Sequence, residues 1–429
     1  MKIHFSTLGC KVNQYESFAM RAAFESNGHV GTEDPHEADV IVVNSCTVTA
    51  ESNRKTRQLV RKMRRSNPNA CIVLTGCMPQ AFPKDAEIIN EADIVTGNKD
   101  NNRVPEMVYK FLSDSKRTVD INQHRAGEAF VSSTVGDFHE RTRAYVKVED
   151  GCDRFCTYCI IPKARGRVRS KSPDDIRSEA AALSASGYKE LVLVGINLSD
   201  YGKEIGLNMC DAVDAANVQG IERIRLGSLE PDQITDKMIS HLSSIKEFCP
   251  QFHLSLQSGC DRTLRRMNRH YDSSFYRNLV TRLRNGFENC SITTDIMVGF
   301  AGETDEDFED SLKFVDEIGF AKSHVFAYSR RAGTPAATYP DQVPESVKRT
   351  RSAKMIETTV KSTENFLKSQ IGLVCPVLFE GKCEDSTYEG YAPNYTPVRV
   401  RSDKNISGLS LRVKITDSTD TYCTGVITE

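Results

Sequence analysis

Short apolar runs that alternate with polar, helix-forming stretches constrain this chain more than any other feature of its sequence. In the first 125 residues the runs are KIHFSTL, ADVIVVNSC, ACIVLTGC and ADIVTG, each followed by a segment with helix-starting and charged residues. Such alternation is typical of strand–helix–strand units that build a parallel sheet. We predict an α/β fold that begins with an open parallel-sheet domain over residues 1–125. The polar stretch 101–140 suits a linker or an excursion between domains.

The alternation resumes after this stretch and predicts a second domain over residues 139–370. Its apolar runs are AYVKV, LVLVG, RIRLGS, FHLSL, ITTDIMVGF and HVFAY, separated by helical stretches. Six strands are too few for a full eight-stranded barrel, so we predict a partial, TIM-like (β/α)6 barrel. Its chemistry should lie at the face formed by the carboxyl ends of the strands.

The last part of the chain, residues 371–429, has a different composition. A long charged helix is predicted from Pro344 to about Ile371, with Gly372 as its C-terminal cap. The residues that follow are rich in β-branched and aromatic side chains and are broken by Gly, Pro, Asn and Asp. They predict a small OB-like β-barrel, a shape that serves both as a nucleic-acid-binding platform and as a purely structural unit.

Composition excludes several classes of protein. The chain has 429 residues, 39% of them hydrophobic, and no run near the eighteen or so apolar residues that a membrane span requires. Its net charge of -2 means that any polyanionic partner must be held by local patches. The amino-terminal residues lack the features of a signal peptide, so we expect a cytoplasmic protein. In that reducing compartment, 14 cysteines favour metal or redox chemistry over disulfides.

Three cysteines stand together directly after the first predicted barrel strand. Cys152, Cys156 and Cys159 form the pattern C-x-x-x-C-x-x-C in the segment GCDRFCTYC. Three thiolates from one short loop can hold a cubane iron–sulfur cluster and leave its fourth iron open to an exogenous ligand. A zinc knuckle that borrows a fourth ligand, or incidental buried thiols, are the alternatives.

Three further cysteines are far apart in the sequence but equivalent in the pattern. Cys10, Cys46 and Cys77 each stand where an apolar run gives way to a turn. Because the carboxyl ends of parallel strands share one edge of a sheet, we expect the three to converge there. Cys71 lies at the opposite end of its strand and is predicted to pack in the core. Three separate buried thiols remain the alternative, since cysteine is often buried regardless of function.

Polar residues near the ends of barrel strands are candidates for cofactor contacts. They are Asn197, Glu230, Gln257 and Asp295. Residues in such positions tend to be functional, although each could instead cap a helix or brace a loop. Gly195 could let the backbone approach a ligand closely, although a turn would also require glycine.

Basic and aromatic residues suggest where RNA could bind. Basic residues alternate after the cysteine loop and would share one side of an extended segment: Lys163, Arg165, Arg167, Arg169 and Lys171. We expect Arg165 and Arg167 to contact phosphate or cofactor, with pairing to acidic residues as the alternative. Three tyrosines of the last domain could stack on bases or pack in its core: Tyr388, Tyr391 and Tyr395. The basic run 53–65 predicts a helix with an apolar stripe and a solvated charged face.

The cysteine loop resembles that of the radical S-adenosylmethionine enzymes. Further segments resemble the methylthiotransferases of that superfamily: TLGCKVNQYE, NSC, GC at residues 76–77, LQSG and VGFAGET. The resemblance implies an N-terminal cysteine domain, a radical barrel and a C-terminal TRAM domain. It also implies S-adenosylmethionine and two 4Fe-4S clusters, one on Cys152, Cys156 and Cys159 that does the catalysis and an auxiliary one on the three N-terminal cysteines. Tyr158 stands where the family has an aromatic beside the adenine of the cofactor.

Within that family, TLGCKVNQYES, EDGCDRFCTYCIIPKARG and VGINLSDYG look most like the threonylcarbamoyladenosine (MtaB) type. The resemblance implies methylthiolation of carbon 2 of N6-threonylcarbamoyladenosine at position 37, beside the tRNA anticodon. Two S-adenosylmethionine molecules would be used, one as methyl donor and one as radical source. The implied partners are the tRNA anticodon stem-loop, an electron donor such as flavodoxin or ferredoxin, and iron–sulfur assembly or sulfur-supply proteins.

Two other functions remain open. The first is the isopentenyladenosine type of the same family, which would act on a different modified nucleoside. The second is a non-catalytic iron–sulfur protein that binds RNA. A three-cysteine loop disfavours the second, because a purely structural cluster prefers a full set of protein ligands. Ala301, where the family commonly has proline, and Ser255 and Cys260 depart from the family pattern without touching either cysteine triad.

Overall fold

A computed structural model describes residues 1–133, 135, 138, 142–383 and 386–428. The chain opens with a six-stranded parallel sheet in the order β2-β1-β3-β4-β5-β6. Its strands are β1 (Lys2–Thr7), β2 (Val30–Gly31), β3 (Val40–Ser45), β4 (Cys71–Gly76), β5 (Ile94–Thr96) and β6 (Thr118–Asp120). Its helices are α1 (Lys11–Glu25), α2 (Ala50–Ser66), α3 (Cys77–Ala81), α4 (Pro83–Glu87) and α5 (Val104–Asp114).

Helices cover both faces of this sheet, which explains the unbroken apolar run of β3. Ile41 and Val43 face the side covered by Val60 of α2, whereas Val40 and Val42 face the other side, where α1 and α5 pack. A strand buried on both faces favours consecutive β-branched residues, as in the sequence. The prediction of an open parallel α/β sheet is confirmed.

The polar stretch 101–140 was predicted as a linker or excursion, and its first part is instead regular structure. Helix α5 packs on the sheet and β6 pairs in parallel with β5. The error has a physical cause: β6 is only three residues long and lies at the sheet edge, so it carries no apolar run.

The central domain holds six parallel strand positions, as the sequence predicts. Its strands are β7 (Arg143–Lys147), β8 (Glu149–Asp150), β9 (Arg169–Ser170), β10 (Glu190–Val194), β11 (Arg223–Leu226), β12 (Ser228–Leu229), β13 (Gln251–Leu254), β14 (Ser291–Val298) and β15 (Lys322–Ala327). The two main sheets run β7-β10-β11 and β12-β13-β14-β15, and β11 and β12 are successive parts of one run broken at Gly227. Strands β8 and β9 form a separate antiparallel pair.

Helices surround these strands and complete the partial barrel. They are α6 (Ile161–Arg165), α7 (Pro173–Ala185), α8 (Met209–Ala216), α9 (Asp236–Ser243), α10 (Asp261–Arg266), α11 (Ser273–Gly286), α12 (Asp305–Ile318) and α13 (Glu345–Ser369). Short 3-10 helices lie at Pro35–Glu37, Asn101–Arg103, Leu198–Asp200, Lys203–Ile205, Pro231–Gln233 and Pro335–Thr338. No helix in the described ranges is long and apolar enough to cross a membrane.

The chain ends in a closed five-stranded barrel, as predicted, in the order β16-β17-β18-β20-β19. Its strands are β16 (Val374–Lys382), β17 (Thr387–Tyr391), β18 (Pro397–Arg401), β19 (Ser410–Ser418) and β20 (Cys423–Ile427). Helix α13 joins the two barrels, because its Met355 packs in the central core and its Leu367 in the core of the small barrel. The expected boundaries at 125, 139 and 371 stay predictions, and residues 139 and 429 lie outside the described ranges.

Arginines of the central domain fasten the small barrel in place. Arg223 donates to the carbonyls of Tyr391 at 2.7 Å and Pro376 at 2.9 Å, and Arg225 donates to that of Pro393 at 3.0 Å. Glu190, whose side chain has no exposed surface, pairs with both arginines. Its Oε2 lies 3.6 Å from Nη1 of Arg223, and its Oε1 lies 2.9 Å from Nε of Arg225. Because buried charges require partners, this contact fixes the small barrel against the central domain.

Candidate active site with two cysteine triads

The three N-terminal cysteines lie at the carboxyl ends of three neighbouring strands. Cys10 follows β1 and immediately precedes α1, Cys46 follows β3, and Cys77 follows β4 and begins α3. The register pairs Thr7 with Asn44 and Ser45 with Gly76, so all three strands end at the same level. The predicted convergence at one sheet edge is therefore what the fold produces. Cys71, at the other end of β4, is buried in the core as predicted.

Two glycines let the backbone close around this edge. A Cβ on Gly9 would lie 3.1 Å from Cβ of Cys46, which shows how closely the loop of Cys10 approaches that cysteine. Gly76 has φ of +98°, and a Cβ there would meet the backbone of Ser45 at 2.5 Å. Both positions require glycine because of the left-handed backbone and the close approach together.

Asn13 links the three strand ends from one turn inside α1. Its Oδ1 accepts from Sγ of Cys10 at 3.3 Å, and its Nδ2 donates to Ser45 O at 3.1 Å and points at Sγ of Cys77, 4.0 Å away. Sγ of Cys77 also accepts from Nδ2 of Asn98 at 3.6 Å. Sequence reasoning missed Asn13, although its position three residues after Cys10, on the same helix face, was a usable signal.

The three thiols act on one another electrostatically. Loss of hydration is the main reason that the pKa of each is raised, although part of Cys10 is exposed at the surface, and the charge of Cys46 raises the pKa of Cys10 further. In the same way the charge of Cys77 raises the pKa of Cys46, and the charge of Cys10 raises the pKa of Cys77. Thiols held close together and protonated when unliganded suit a metal cluster, which binds thiolates and supplies the missing positive charge.

The second triad lies in the loop between β8 and α6. The backbone N–H of Cys152 donates to Gly166 O at 3.1 Å, and that of Cys159 donates to Cys156 O at 2.9 Å. Thr157 anchors the loop to the end of α10, since its N–H donates to Met267 O at 3.0 Å. Burial raises the pKa of Cys159 to about 12 and that of Cys152 above its usual range. As at the first triad, the raised pKa values keep the thiols protonated until a metal replaces the proton.

A buried arginine reaches the middle cysteine of this loop. Nη1 of Arg269 lies 3.3 Å from Sγ of Cys156, and the two Nη atoms bind both carboxylate oxygens of Glu230 at 3.1 and 2.6 Å. Nε donates to the hydroxyl of Tyr271 at 3.0 Å. Sequence reasoning did not identify Arg269. A basic residue between two helices has no distinguishing feature in the sequence, because its contact with Cys156 exists only in the folded protein.

The two triads face each other across a small apolar contact. Cys77 and Ala81 of α3 pack against Ile160, which directly follows Cys159, and against Ala164 of α6. Asn98, which donates to Sγ of Cys77, also donates to Ala164 O at 2.9 Å. The structure thus brings together two sets of cysteines that are separated by 75 residues or more in the sequence.

Arg165 lies between the triads rather than on the surface. Its side chain has no exposed surface, and its guanidinium binds both oxygens of Glu16 at 2.7 and 3.0 Å and Oδ1 of Asp150 at 3.1 Å. Burial opposes ionisation of Glu16, but Arg165 and Lys147 outweigh it and hold the pKa of that carboxyl below its usual value. The expected RNA contact of Arg165 is therefore wrong, and the acidic pairing that was its alternative is found.

The expected alternation of basic residues fails for a related reason. Residues 161–165 form helix α6 instead of an extended segment, so Lys163 and Arg165 point to different sides. Lys163 is exposed and its Nζ lies 4.9 Å from the ring centre of Phe82. Arg167 is also exposed, pairs with Asp153 at 3.1 Å and lies over the ring of Phe155. The roles of Lys163 in RNA binding and Arg167 in cofactor binding stay predictions.

Two predicted cofactor residues, Asn197 and Gln257, each have a buried side-chain oxygen that accepts no hydrogen bond within the described residues. These atoms are Oδ1 of Asn197 and Oε1 of Gln257. Gln257 adopts the left-handed φ of +65°, a conformation rare outside glycine that is often found at functional sites. Buried acceptors without donors suit a ligand that carries ammonium and hydroxyl groups, as S-adenosylmethionine does.

Glu149 is a third such acceptor and was missed by sequence reasoning. Its carboxyl has no exposed surface, accepts the N–H of Asn197 at 2.7 Å and leaves Oε1 without a partner in the described chain. Burial raises its pKa well above the usual range, and the nearby carboxylates of Asp150 and Asp200 raise it further. A Cβ on Gly195 would lie 2.6 Å from its Oε2, which explains glycine there. Its position just before the cysteine loop was the only available signal.

The remaining predicted cofactor residues, Tyr158, Glu230 and Asp295, differ in their surroundings. Tyr158 packs against Phe300 and Ala301, and burial raises its pKa well above the usual range. Glu230 is engaged by Arg269, as described above. Asp295 is one-third exposed and lies 3.3 Å from Nε2 of His253. Their cofactor contacts stay predictions.

The three tyrosines of the small barrel have different surroundings. Tyr388 is part of that barrel's core. Tyr391 and Tyr395 stack on each other with ring centres 4.7 Å apart, and Arg143 lies over both rings. These two rings therefore contribute to the contact between the barrels, and Tyr391 is only partly exposed. Its predicted RNA contact remains to be tested.

Within the described ranges, no three His, Cys, Asp or Glu side chains converge closely enough to hold a single metal ion. Thiolates that bind a four-iron cluster need not converge in this way, because the cluster lies between them. The donor set of both triads, thiols alone, fits an iron–sulfur cluster.

Comparison with known families agrees with this division of the chain. Residues 2–97 match a model described as uncharacterized protein family UPF0004. Residues 146–315 match the radical SAM superfamily. The first match contains Cys10, Cys46 and Cys77, and the second contains Cys152, Cys156 and Cys159.

Curated relatives match along nearly the whole chain. The threonylcarbamoyladenosine tRNA methylthiotransferase MtaB of Bacillus subtilis is 34% identical over 96% of this chain and 93% of its own length. The protein of the same name from Thermotoga maritima is 37% identical, covering 96% and 94%. The tRNA-2-methylthio-N(6)-dimethylallyladenosine synthase of Caldicellulosiruptor saccharolyticus is 33% identical, covering 99% and 92%.

Solved structures show the same fold at low identity. The radical S-adenosylmethionine methyltransferase TsrM from Kitasatospora setae, with cobalamin and a 4Fe-4S cluster bound, aligns with a TM-score of 0.56 and 15% identity. The alignment covers 78% of this chain and 77% of that one. The fold therefore extends beyond the barrel itself.

Proposed function

Because this chain belongs to the radical S-adenosylmethionine methylthiotransferases, we propose that it methylthiolates carbon 2 of N6-threonylcarbamoyladenosine at position 37 of tRNA. The product is 2-methylthio-N6-threonylcarbamoyladenosine. The observation that carries the proposal is the apposition of two cysteine triads: Cys77 shares one apolar cluster with Ile160, the residue that follows Cys159, and Asn98 donates both to Sγ of Cys77 and to Ala164 O. A transferase that moves sulfur to a carbon atom needs a radical site and a sulfur site within reach of one substrate.

Each triad has its own role in this proposal. Cys152, Cys156 and Cys159 hold the 4Fe-4S cluster that the superfamily uses, and Cys10, Cys46 and Cys77 hold a second one. When bound, the first cluster and S-adenosylmethionine supply a radical able to take hydrogen from an aromatic carbon that offers no acidic proton. Acid–base or nucleophilic catalysis does not readily activate such a carbon, because it has no acidic proton and no leaving group.

The chain's own residues bind and orient the reactants. Arg269 holds Glu230 and the sulfur of Cys156 in one rigid arrangement, because its planar guanidinium makes bidentate contacts. The unpaired acceptors of Asn197 and Gln257 receive donors of the cofactor. Tyr158 and Phe300 form an apolar wall, which excludes water from a reactive intermediate.

We assign the substrate nucleoside from the similarity of this chain to its relatives. The two that share 34% and 37% identity carry threonylcarbamoyladenosine in their names, against 33% for the dimethylallyladenosine synthase. The isopentenyladenosine reaction is the second candidate, since that relative covers 99% of this chain. A low-potential electron donor such as flavodoxin or ferredoxin and a sulfur-supplying protein complete the proposed system.

Nucleoside mass spectrometry tests the function directly. The reconstituted protein is incubated anaerobically with reductant, S-adenosylmethionine and tRNA that carries threonylcarbamoyladenosine without the methylthio group. We expect the mass gain of a methylthio group on that nucleoside, and none with Cys159→Ala protein. A gain on isopentenyladenosine alone would transfer the function to the second candidate.

The same reaction distinguishes an enzyme from a non-catalytic iron–sulfur protein. Release of 5′-deoxyadenosine measures cofactor cleavage independently of the RNA product. Reduced, iron-loaded protein that never releases it would contradict the enzymatic function altogether.

A further inference from the structure

Helix α2 is far more basic than the protein as a whole. Its 17 residues include seven arginines and lysines and one acidic residue, whereas the whole chain has a net charge of -2. Thr56, Val60 and Met63 are buried on one side of the helix. At 100° per residue, Lys55, Lys62 and Arg65 project from the opposite side, and all three are exposed.

Carboxylates neutralise only part of this charge. Arg54 pairs with Glu51, Arg61 with Glu91 at 3.1 Å, and Arg64 with Asp93 at 2.5 Å. The four other cations of the helix form no ion pair within 4 Å in the described ranges, although Lys55 lies near enough to Glu51 to lower the pKa of that carboxyl. They are Lys55, Arg57, Lys62 and Arg65, and we call them the α2 cations.

The amino end of α2 lies beside the N-terminal triad and against the loop after β15. The helix begins four residues after Cys46, and its first N–H, that of Ala50, donates to Oγ of Ser329 at 3.1 Å, in the loop after β15. Arg331 of the same loop donates to Oγ1 of Thr47 at 2.9 Å. The α2 cations therefore start beside the N-terminal triad and continue away from it along the helix.

Near the amino end of α2, Arg57 and Arg331 lie close enough for their positive charges to interact. Burial is the main cause that lowers the pKa of Arg331, and the charge of Arg57 lowers it further, while Cys46 and Asp85 act in the opposite direction. Nε of Arg331 is buried without a partner among the described residues. Like charges gathered at one edge with unsatisfied donors favour an anionic ligand.

We infer that the α2 cations bind backbone phosphates of the tRNA next to the nucleotide that enters the site. The inference rests on the proposed function. At 1.5 Å per residue the helix is roughly 25 Å long, which is enough to follow several phosphates. A protein without a global positive field must hold a polyanion through such a patch. Arg165, the residue expected to do this from the sequence, is buried and already paired.

Salt dependence of RNA binding tests the inference, because each phosphate contact contributes about 0.7 to 0.9 to the slope of log affinity against log salt. The full-length, iron-loaded protein is titrated with a fluorescent anticodon stem-loop over a series of salt concentrations. The variant replaces the four α2 cations with glutamine. We expect affinity to fall at least tenfold and the slope to fall by about three.

A matched variant removes the same charge elsewhere. It replaces four exposed cations of the central domain that have no acidic partner in the described ranges, with glutamine at each: Lys237, Lys246, Lys313 and Lys322. We expect its slope to change by less than about one. A double variant, Lys55→Gln with Lys62→Gln, alters only exposed side chains and should lose about half as much slope as the fourfold one. Iron content and circular dichroism verify folding.

The outcomes separate this inference from the proposed function. Equal slopes for the parent and the fourfold α2 variant, or equal losses in the α2 and matched variants, would overturn the inference. If the parent methylthiolates tRNA in either case, the function stands and only the surface is wrong. A parent that binds RNA through the α2 cations but modifies no nucleoside would contradict the function and leave the surface in place.

Discussion

The guanidinium of Arg269 lies 3.3 Å from the sulfur of Cys156 while it binds both carboxylate oxygens of Glu230. Arg269 is almost fully buried, and its Nη2 also donates to Ser255 O at 3.0 Å. One side chain thus joins the cysteine loop to the ends of two barrel strands. Its charge and hydrogen bond favour extra negative charge on a cluster held by Cys156.

Replacing Arg269 with glutamine should therefore change the redox properties of the cluster. Loss of a cationic donor to a ligand sulfur disfavours the reduced cluster, so we expect a more negative midpoint potential. Cofactor cleavage should fall, because a cluster with a more negative potential is harder to reduce. The free energy of unfolding should fall by about 3–5 kcal/mol, because the variant breaks a buried ion pair. An EPR-monitored potentiometric titration makes the measurement. Arg266→Gln, one turn away, is the control, and an identical potential for parent and Arg269→Gln would contradict the prediction.

Cys77 and Cys71 lie at opposite ends of β4 and allow a matched comparison. Cys77→Ala should remove about half of the bound iron and abolish methylthiolation, while some cofactor cleavage remains, because the second triad is intact. Cys71→Ala removes a buried thiol that only packs, so it should keep all iron and lose about 1 kcal/mol of stability. Iron analysis and 5′-deoxyadenosine release make the comparison. Full iron content in the Cys77→Ala protein would show that this triad holds no cluster.

Gly76 and Gly28 both have positive φ but differ in their surroundings. Around Gly28 nothing lies within 4 Å of an added Cβ, so Gly28→Ala should cost only the left-handed strain of roughly 1–2 kcal/mol. A Cβ on Gly76 would clash with the backbone of Ser45, so Gly76→Ala should cost about 3–5 kcal/mol. Because Gly76 precedes Cys77, iron content should also fall. Chemical denaturation and iron analysis of both variants test this, and equal losses of stability would contradict it.

Glu149 should make stability depend on pH. Its pKa is raised by burial, so the folded protein retains a proton that the unfolded chain loses above about pH 4.5. Stability is then full below that pH and falls as the pH rises towards the folded pKa, by about 1.4 kcal/mol per pH unit. Glu149→Gln imitates the protonated form and should remove this decline. Thermal melts of parent and variant between pH 5 and pH 8 test it, and parallel pH profiles would contradict the prediction.

Local signals in the sequence were sufficient for much of this architecture. The alternation of apolar runs with helical stretches predicts a parallel sheet, and in β3 Ile41 and Val42 are fully buried. The strand-end positions of Cys46 and Cys77 predict their convergence, because parallel strands end at a common edge. In each case one short segment and a general rule of sheet topology carry the whole inference.

Other features depend on partners that are distant in the sequence. Arg165 looked like a surface cation because nothing near it in sequence shows that Glu16 would approach it. Arg269 was overlooked for the same reason, since its partners Cys156 and Glu230 are 113 and 39 residues away. The sequence also contained no sign that the ring of Tyr391 would lie under Arg143 of the central domain.

The sequence by itself determined the order of the elements, the two sets of cysteines and the family. Periodicity and spacing are local properties, and they survive as patterns in a single chain. Only the tertiary structure decided which charges are buried and which remain available to a ligand. Burial and ion pairing arise when elements far apart in the chain pack together, so α2 keeps its free cations while Arg165, of similar appearance in the sequence, is enclosed.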